Sequence, residues 1–191
     1  MIRSRVLLVL LVLLVGCGFL DTRQPLKPLP GGGCPRAVPI DPDSVLSNLV
    51  SAFACGLEGL TLYGEALSLD YSIRLDAIDA IETGSDSLDR EATLNAHRIF
   101  YQTAEFDSVF LAFDGVHIEL MGNTAEAFGV EYVFVGAPDS LTLRAPLRIS
   151  GIANLFFREG TVADWELFLW EDGNDADTTS SLGRVYGEFA F

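Results

Sequence analysis

Three cysteines, two histidines and a scatter of carboxylates and aromatic rings are the groups of this 191-residue chain that could do chemistry. Cys17 has the most defined setting, because it follows two arginines (Arg3 and Arg5), an apolar run Val6–Val15 and a small Gly16. A thiolate is a nucleophile that can form a thioether, and a small residue before it leaves the peptide bond between them accessible. The other two, Cys34 and Cys55, either bridge in an oxidising compartment or stand as unpaired thiols. Neither has a neighbouring histidine or a second cysteine at CxxC spacing, so no catalytic role attaches to them.

Acid–base candidates are few. His97 shares one side of a predicted helix with Leu94 and Tyr101, which suggests a contact between helix and sheet. His117 falls opposite Val116 and Ile118 and reads as solvent-facing. Asp114, next to Gly115, reads first as turn chemistry and second as a pocket base. Tyr101, His97, Asp114 and Trp165 are therefore the pocket candidates, and no residue is assigned as catalytic. A general base needs apolar surroundings to lift its pKa towards the working pH, and the spacing places none of them in such a site. The acidic run Glu171–Asp177 offers oxygen ligands but lacks the EF-hand ladder, so it reads as a solvated loop. Asp76, Asp79, Glu82, Asp86, Asp89 and Glu91 read as a solvated edge. No phosphate-binding glycine loop, dinucleotide fingerprint, HExxH or GxSxG is present, and neither metal nor cofactor is expected.

The setting of Cys17 has a further meaning. Leu14-Val15-Gly16-Cys17 resembles the lipobox of bacterial lipoproteins, behind a leader with a basic start and an apolar middle. Ten helical residues span about 15 Å, half of a bilayer's roughly 30 Å hydrocarbon core, so the leader is not expected to remain as a membrane span. The resemblance implies that residues 1–16 are removed, that Cys17 is lipidated, and that the membrane is reached through that lipid. It implies the cell envelope, and Gly18 after the cysteine implies the periplasmic face of the outer membrane in a diderm host.

Charge agrees with anchoring by lipid. The chain has 12 Lys+Arg against 27 Asp+Glu, a net −15, and losing Arg3 and Arg5 with the leader leaves −17. Nucleic acid is excluded as a partner, since affinity for it comes mainly from cations that displace phosphate counterions. Residues 17–43 carry Pro25, Pro28, Pro30, Pro35, Pro39 and Pro42 around Gly31-Gly32-Gly33, a mixed stiff and flexible tether. Residues 44–191 are expected to form one domain.

Periodicity gives that domain its order. Asp43 or Ser44 is expected to cap a helix reaching about Gly64, with weak points at Gly56 and Gly59 and an apolar stripe through Leu46, Leu49, Val50, Phe53, Leu57 and Leu60. Cys55 lies opposite that stripe, where it could meet the tether. A strand follows with Leu69, Tyr71, Ile73 and Leu75 on one face, then a loop at Glu82–Asp86 and a helix from Asp89 to Thr103. Four long strands come next: Phe106–Met121 with a kink at Asp114-Gly115, Thr124–Gly136, Leu141–Phe157 and Thr161–Glu171. Ala137–Ser140 is read as a hairpin turn, and Ser181–Phe191 as a short amphipathic helix or an extra strand. Helices first and a strongly curved antiparallel sheet afterwards is an α+β plan.

That plan resembles the NTF2-like, or SnoaL-like, cone fold, and in particular small lipoproteins of that superfamily. The resemblance rests on Pro42–Phe53 after a Pro-rich tether, on Asp70-Tyr71, on Arg90–Phe100 and on Trp165, Trp170 and Asp172 at the end. A lipocalin-like barrel competes, and two helices before the main sheet argue against it. The resemblance implies a binding module without catalysis, taking a small apolar ligand or an envelope protein, with a homodimer through the sheets as one assembly. An isomerase, dehydratase or hydrolase of the cone pocket is the alternative, and a structural envelope component a third. Phe110, Phe128, Tyr132, Phe134, Phe156, Phe157, Trp165, Phe168 and Trp170 would line a pocket or fill the cone.

Overall fold

A computed structural model describes residues 33–103, 106–138, 146–160, 164–174 and 181–190. The leader, Cys17 and the tether to residue 32 lie outside the described residues, as do Asp139-Ser140 of the expected turn, 141–145 of the longest expected strand, and Asp175–Asp177.

The first helix, α1 (Pro42–Cys55), is capped by Asp41 rather than by Asp43 or Ser44. Asp41 accepts from the Ser44 backbone N–H at 2.7 Å, and Ser44 Oγ accepts in return from the Asp41 N–H at 3.2 Å. Pro42 at the first helical position needs no hydrogen bond and already holds a helical φ, which moves the start upstream. The expected weak points are where the helix changes: a 3₁₀ turn, Gly56–Gly59, leads into α2 (Leu60–Ala66). Gly56 has φ 61°, and a Cβ at Gly59 would sit 2.0 Å from the Ala52 carbonyl oxygen, so the turn needs both glycines.

β1 (Leu67–Arg74) departs from the expected alternation. Tyr71 and Ile73 are buried, but Leu69 is 88% exposed, because the pairing shifts register between Leu67 and Ser72 and turns it outwards. A helix not foreseen, α3 (Ala77–Thr83), follows, with Asp76 Oδ1 accepting from the Ile78 and Asp79 N–H groups at 2.7 and 3.0 Å. β2 (Ser87–Asp89) and α4 (Arg90–Thr103) come next. The long strands are β3 (Phe106–Asp114), β5 (Thr124–Pro138), β6 (Leu147–Glu159) and β7 (Trp165–Asn174), with a short β4 (Ile118–Met121) after the break at Gly115. The last segment resolves as helix, α5 (Leu182–Ala190).

The sheet runs β2-β1-β7-β6-β5-β3, with β4 on β5. All pairs are antiparallel except β1 and β7, which are parallel, so the sheet is mixed rather than wholly antiparallel. Adjacent hairpin strands must reverse direction, whereas β1 and β7 are joined only through the rest of the domain and are free of that constraint. The sheet is not closed into a barrel; β2 and β3 are its edges. On β6, Ile149, Gly151, Ala153, Leu155 and Phe157 face inwards, as the alternation predicted. Residues 42–66 are apolar enough to cross a membrane by composition, yet they cover the sheet with Val45, Leu49, Ala52 and Phe53 fully buried.

Upstream of α1 the chain already packs on the domain. Cys34 and Cys55 are disulfide-bonded with their Cα atoms 5.9 Å apart. Asn48 bonds both backbone groups of Ala37, and the Pro39 carbonyl accepts from Trp165 N–H at 2.7 Å.

Candidate functional site

The helices α1, α2, α4 and α5 meet over the concave side of the sheet, and the residue at their centre is His97. Its position on α4, between buried Thr93 and Phe100, turns the ring inwards, and it is 0% exposed. Four rings surround it: Phe53, Tyr63, Tyr101 and Tyr186 have centroids 4.9, 4.6, 4.7 and 6.1 Å away. Its Nδ1 shares a 2.6 Å hydrogen bond with the Tyr186 hydroxyl, while Nε2 makes no full hydrogen bond among the described residues. Burial pushes its pKa down to about 3, against a smaller pull the other way from the Gly56 backbone. The imidazole is therefore neutral at physiological pH. Burial likewise raises Tyr63, Tyr71, Tyr101 and Tyr186, which keeps every phenol protonated.

A second buried polar group lies at the N-terminus of α5. Asp172, on β7, accepts through Oδ1 from the Tyr132 hydroxyl at 2.6 Å and Trp170 Nε1 at 3.2 Å, and through Oδ2 from the Gly183 N–H at 2.5 Å. The Tyr132 hydroxyl in turn accepts from the Leu182 N–H at 2.8 Å. Ser181 Oγ donates to Asp79 Oδ2 at 2.6 Å and accepts from the Arg184 N–H at 3.0 Å. Three N–H groups of the helix start are thus satisfied, two of them tied to the sheet by one carboxylate and one phenol and the third by the Ser181 hydroxyl. Burial raises the pKa of Asp172, and the hydrogen bonds from Tyr132, the Gly183 N–H and Trp170 oppose that rise.

Together these groups close the cone. α5 carries Tyr186 against His97 and stacks it on Phe53 at 6.5 Å, and Phe53, Phe100, Phe134 and Phe106 continue the ring contacts towards the sheet. The interior is a close-packed aromatic core, and His97 is in contact with protein groups on all the sides these rings occupy. In this arrangement His97 is closed off from solvent, and Asp172 keeps 6% of its surface exposed.

The pocket candidates divide. Tyr101 and His97 come together, with the Tyr101 hydroxyl donating to the Phe53 carbonyl at 2.8 Å. Asp114 is exposed and accepts from the Gly115 N–H at 2.8 Å, which is turn chemistry. Trp165 is half-buried at the start of β7, beside Pro39. His117 is exposed, as expected. Two readings are corrected: Asp172 and Asp79, taken as solvated, are 6% and 1% exposed. Their partners Tyr132 and Ser181 lie 40 and 102 residues away in sequence, and the one local signal is Trp170, two residues before Asp172. Among the described residues, no three His, Cys, Asp or Glu side chains converge as a metal site requires.

The expected aromatic set divides as well. Tyr132, Phe134, Phe157 and Trp170 are interior, whereas Phe110 and Phe128 are 38% and 55% exposed. A bulge between Ala127 and Val130 turns Phe128 out. On the convex face Phe128, Phe156 and Phe168 form a row across β5, β6 and β7, with centroids 5.7 and 6.3 Å apart. Arg158 lies over the Phe168 ring at 5.6 Å and pairs with Asp70 on β1, holding that carboxyl below its usual range.

No family model matches this chain, and no curated protein matches it either. Solved structures do match. A protein from Kribbella flavida aligns with a TM-score of 0.56 and 13% identity, over 80% of this chain and 94% of that one. An NTF2-like protein of unknown function in nutrient uptake from Rhodospirillum rubrum gives 0.51 and 13%, over 71% and 98%. A candidate dehydratase of the NTF2-like family from Streptomyces avermitilis gives 0.51 and 12%, over 69% and 91%. At such identities the likeness establishes the fold alone: the domain has an NTF2-like fold.

Proposed function

We propose that this chain is an envelope lipoprotein, anchored through a lipid on Cys17, whose NTF2-like domain works as a non-catalytic module that binds an envelope protein on the convex face of its sheet. The observation that carries the reading is the division of aromatic residues. Rings that would line a ligand pocket are packed against one another beneath α5, while Phe128, Phe156 and Phe168 form a partly exposed row outside. Exposed aromatic residues beside an arginine are the usual anchors of protein interfaces. A small apolar ligand, or a cone-pocket reaction, would need α5 to withdraw Tyr186 from His97 first. The net charge disfavours self-association at long range, so a homodimer is the weaker occupant of the same face. The Cys34–Cys55 bridge would fix where the tether leaves the domain.

Photo-crosslinking from position 156 in cells tests the surface. The expected product is an adduct with another envelope protein, lost in Phe128→Glu; an adduct at twice the chain mass would replace the partner with a second copy, and none at all would sink the proposal. Anchoring is tested separately with Cys17→Ser, which should leave the detergent phase; a variant still processed and membrane-bound would refute lipidation.

A further inference from the structure

Arginine is scarce in this acidic chain, and its placement is uneven. Arg36, Arg74, Arg158 and Arg184 each pair with a carboxylate. Arg90 and Arg98 pair with none among the described residues, and both line one groove between α2 and α4, with a volume of about 560 Å³. Leu60, Ala92 and Leu94 supply its apolar walls, and Glu91 is the one acid that lines it.

Both guanidinium groups are hydrogen-bonded to neutral oxygens, and neither forms an ion pair among the described residues. Arg90 donates from Nη2 to the Gly64 carbonyl at 2.7 Å, and its Nε is buried without a partner. The guanidinium packs closely on this glycine, since a Cβ there would lie 3.2 Å from the Arg90 Nη2. Arg98, two turns further along α4, donates from Nη2 to Asn95 Oδ1 at 2.6 Å. A guanidinium held at one edge offers its remaining terminal N–H groups to an anion.

We propose that this groove is a binding site for an anionic amphiphile, a phosphate ester whose head bridges Arg90 and Arg98 and whose short apolar stem lies on Leu60, Ala92 and Leu94. The volume suits a small ligand of that kind, and the pairing of an apolar wall with a few oriented polar groups is the usual construction of such sites. The site is separate from the closed cone and from the convex face, and it does not depend on what binds there. The source is either an anionic lipid or a soluble phosphoester. The lipid source rests on the anchoring reading, which would place headgroups within reach of the tether.

Arginine modification by phenylglyoxal, read by peptide mass spectrometry on the full chain in nanodiscs, tests the proposal. In phosphatidylcholine discs, octyl phosphate should slow modification of Arg98 about tenfold and saturably, leaving exposed Arg148 unchanged. Protection by phosphatidylglycerol discs without added ligand assigns the lipid as source, and protection by octyl phosphate alone assigns a soluble one. Arg90→Gln should raise the octyl phosphate concentration needed by tenfold or more; Leu60→Glu, which leaves the Gly64 contact intact, should do the same if Arg90→Gln does not fold. Equal protection by inorganic phosphate or by octyl glucoside, no protection by any phosphate, or indifference to both variants would overturn it.

Discussion

The two ends of α5 are held by opposite means. At its N-terminus, Asp172, Tyr132 and Ser181 make directed hydrogen bonds to the backbone of Leu182, Gly183 and Arg184. One turn on, Tyr186 lies among Phe53, Tyr63, Tyr101 and His97, where five polar-tipped or apolar rings share few hydrogen bonds and Nε2 of His97 makes none among the described residues. The first region is specified by polarity and the second by shape and burial. Directed bonds fix where the helix starts and which way it points; ring packing supplies area but tolerates small chemical changes.

The largest effect should therefore come from the polar end. Asp172→Ala leaves Tyr132, Trp170 Nε1 and the Gly183 N–H without their acceptor in a buried site. Breaking such a network by removing one partner costs about 4 kcal/mol, readable as a fall in the urea midpoint. Asp172→Asn, which keeps an acceptor oxygen, should lose roughly half as much. A loss under 1 kcal/mol in Asp172→Ala would remove the distinction between the two ends.

The next effect separates the ends by the sign of their pH dependence. The pKa of His97 is about 3 when folded, below its ordinary 6.5, so between those values the unfolded chain takes a proton that the folded chain refuses. Its contribution is intact above pH 6.5 and is lost as pH falls, by about 1.4 kcal/mol per unit, or about 3 kcal/mol by pH 4.5. Asp172 runs the other way. Its folded pKa is raised, so the cost of burying its charge is present above that pKa and relieved as pH falls towards the unfolded value. Unfolding curves from pH 7 to 4.5 should show His97→Phe losing much of the acid-side decline of the parent chain, and Asp172→Asn keeping it. Parallel curves for the parent and His97→Phe would mean that the histidine takes its proton in the folded state.

These pH signs were out of reach of the sequence, and the reason is distance along the chain. The inward face of β6 could be read from Ile149 to Phe157 because alternation is a local property, and the break at Gly56 and Gly59 because glycine marks it locally. The burial of Asp172 could not, since in sequence it is one acid of the run Glu171–Asp177, and Tyr132 and Gly183, which bond it, lie 40 and 11 residues away. Asp79 is likewise one acid in a charged string until Ser181 reaches it from the far end of the chain. Leu69 shows the same limit on a smaller scale, where a register shift against β7 overrides a clean alternation. His97 was visible as a helical histidine beside Tyr101, but Tyr186, 89 residues on, is what turns it from a packing residue into a hydrogen-bonded one.

Tyr186→Phe should have the smallest effect, and it probes the comparison most finely. The substitution removes one hydroxyl and leaves the ring that stacks on Phe53 with planes 6° apart. The expected cost is about 1 kcal/mol, the usual net worth of one hydrogen bond, since burial of the ring is untouched. A double-mutant cycle with His97→Phe isolates the pair: a coupling near that same value fits a shared bond inside a core held by packing. A coupling as large as the Asp172→Ala loss would mean that Nδ1 and the phenol hold α5 as firmly as the carboxylate does. The ring cluster would then be a second polar latch, and a partner able to replace the Tyr186 hydroxyl at His97 could open the cone from its aromatic end.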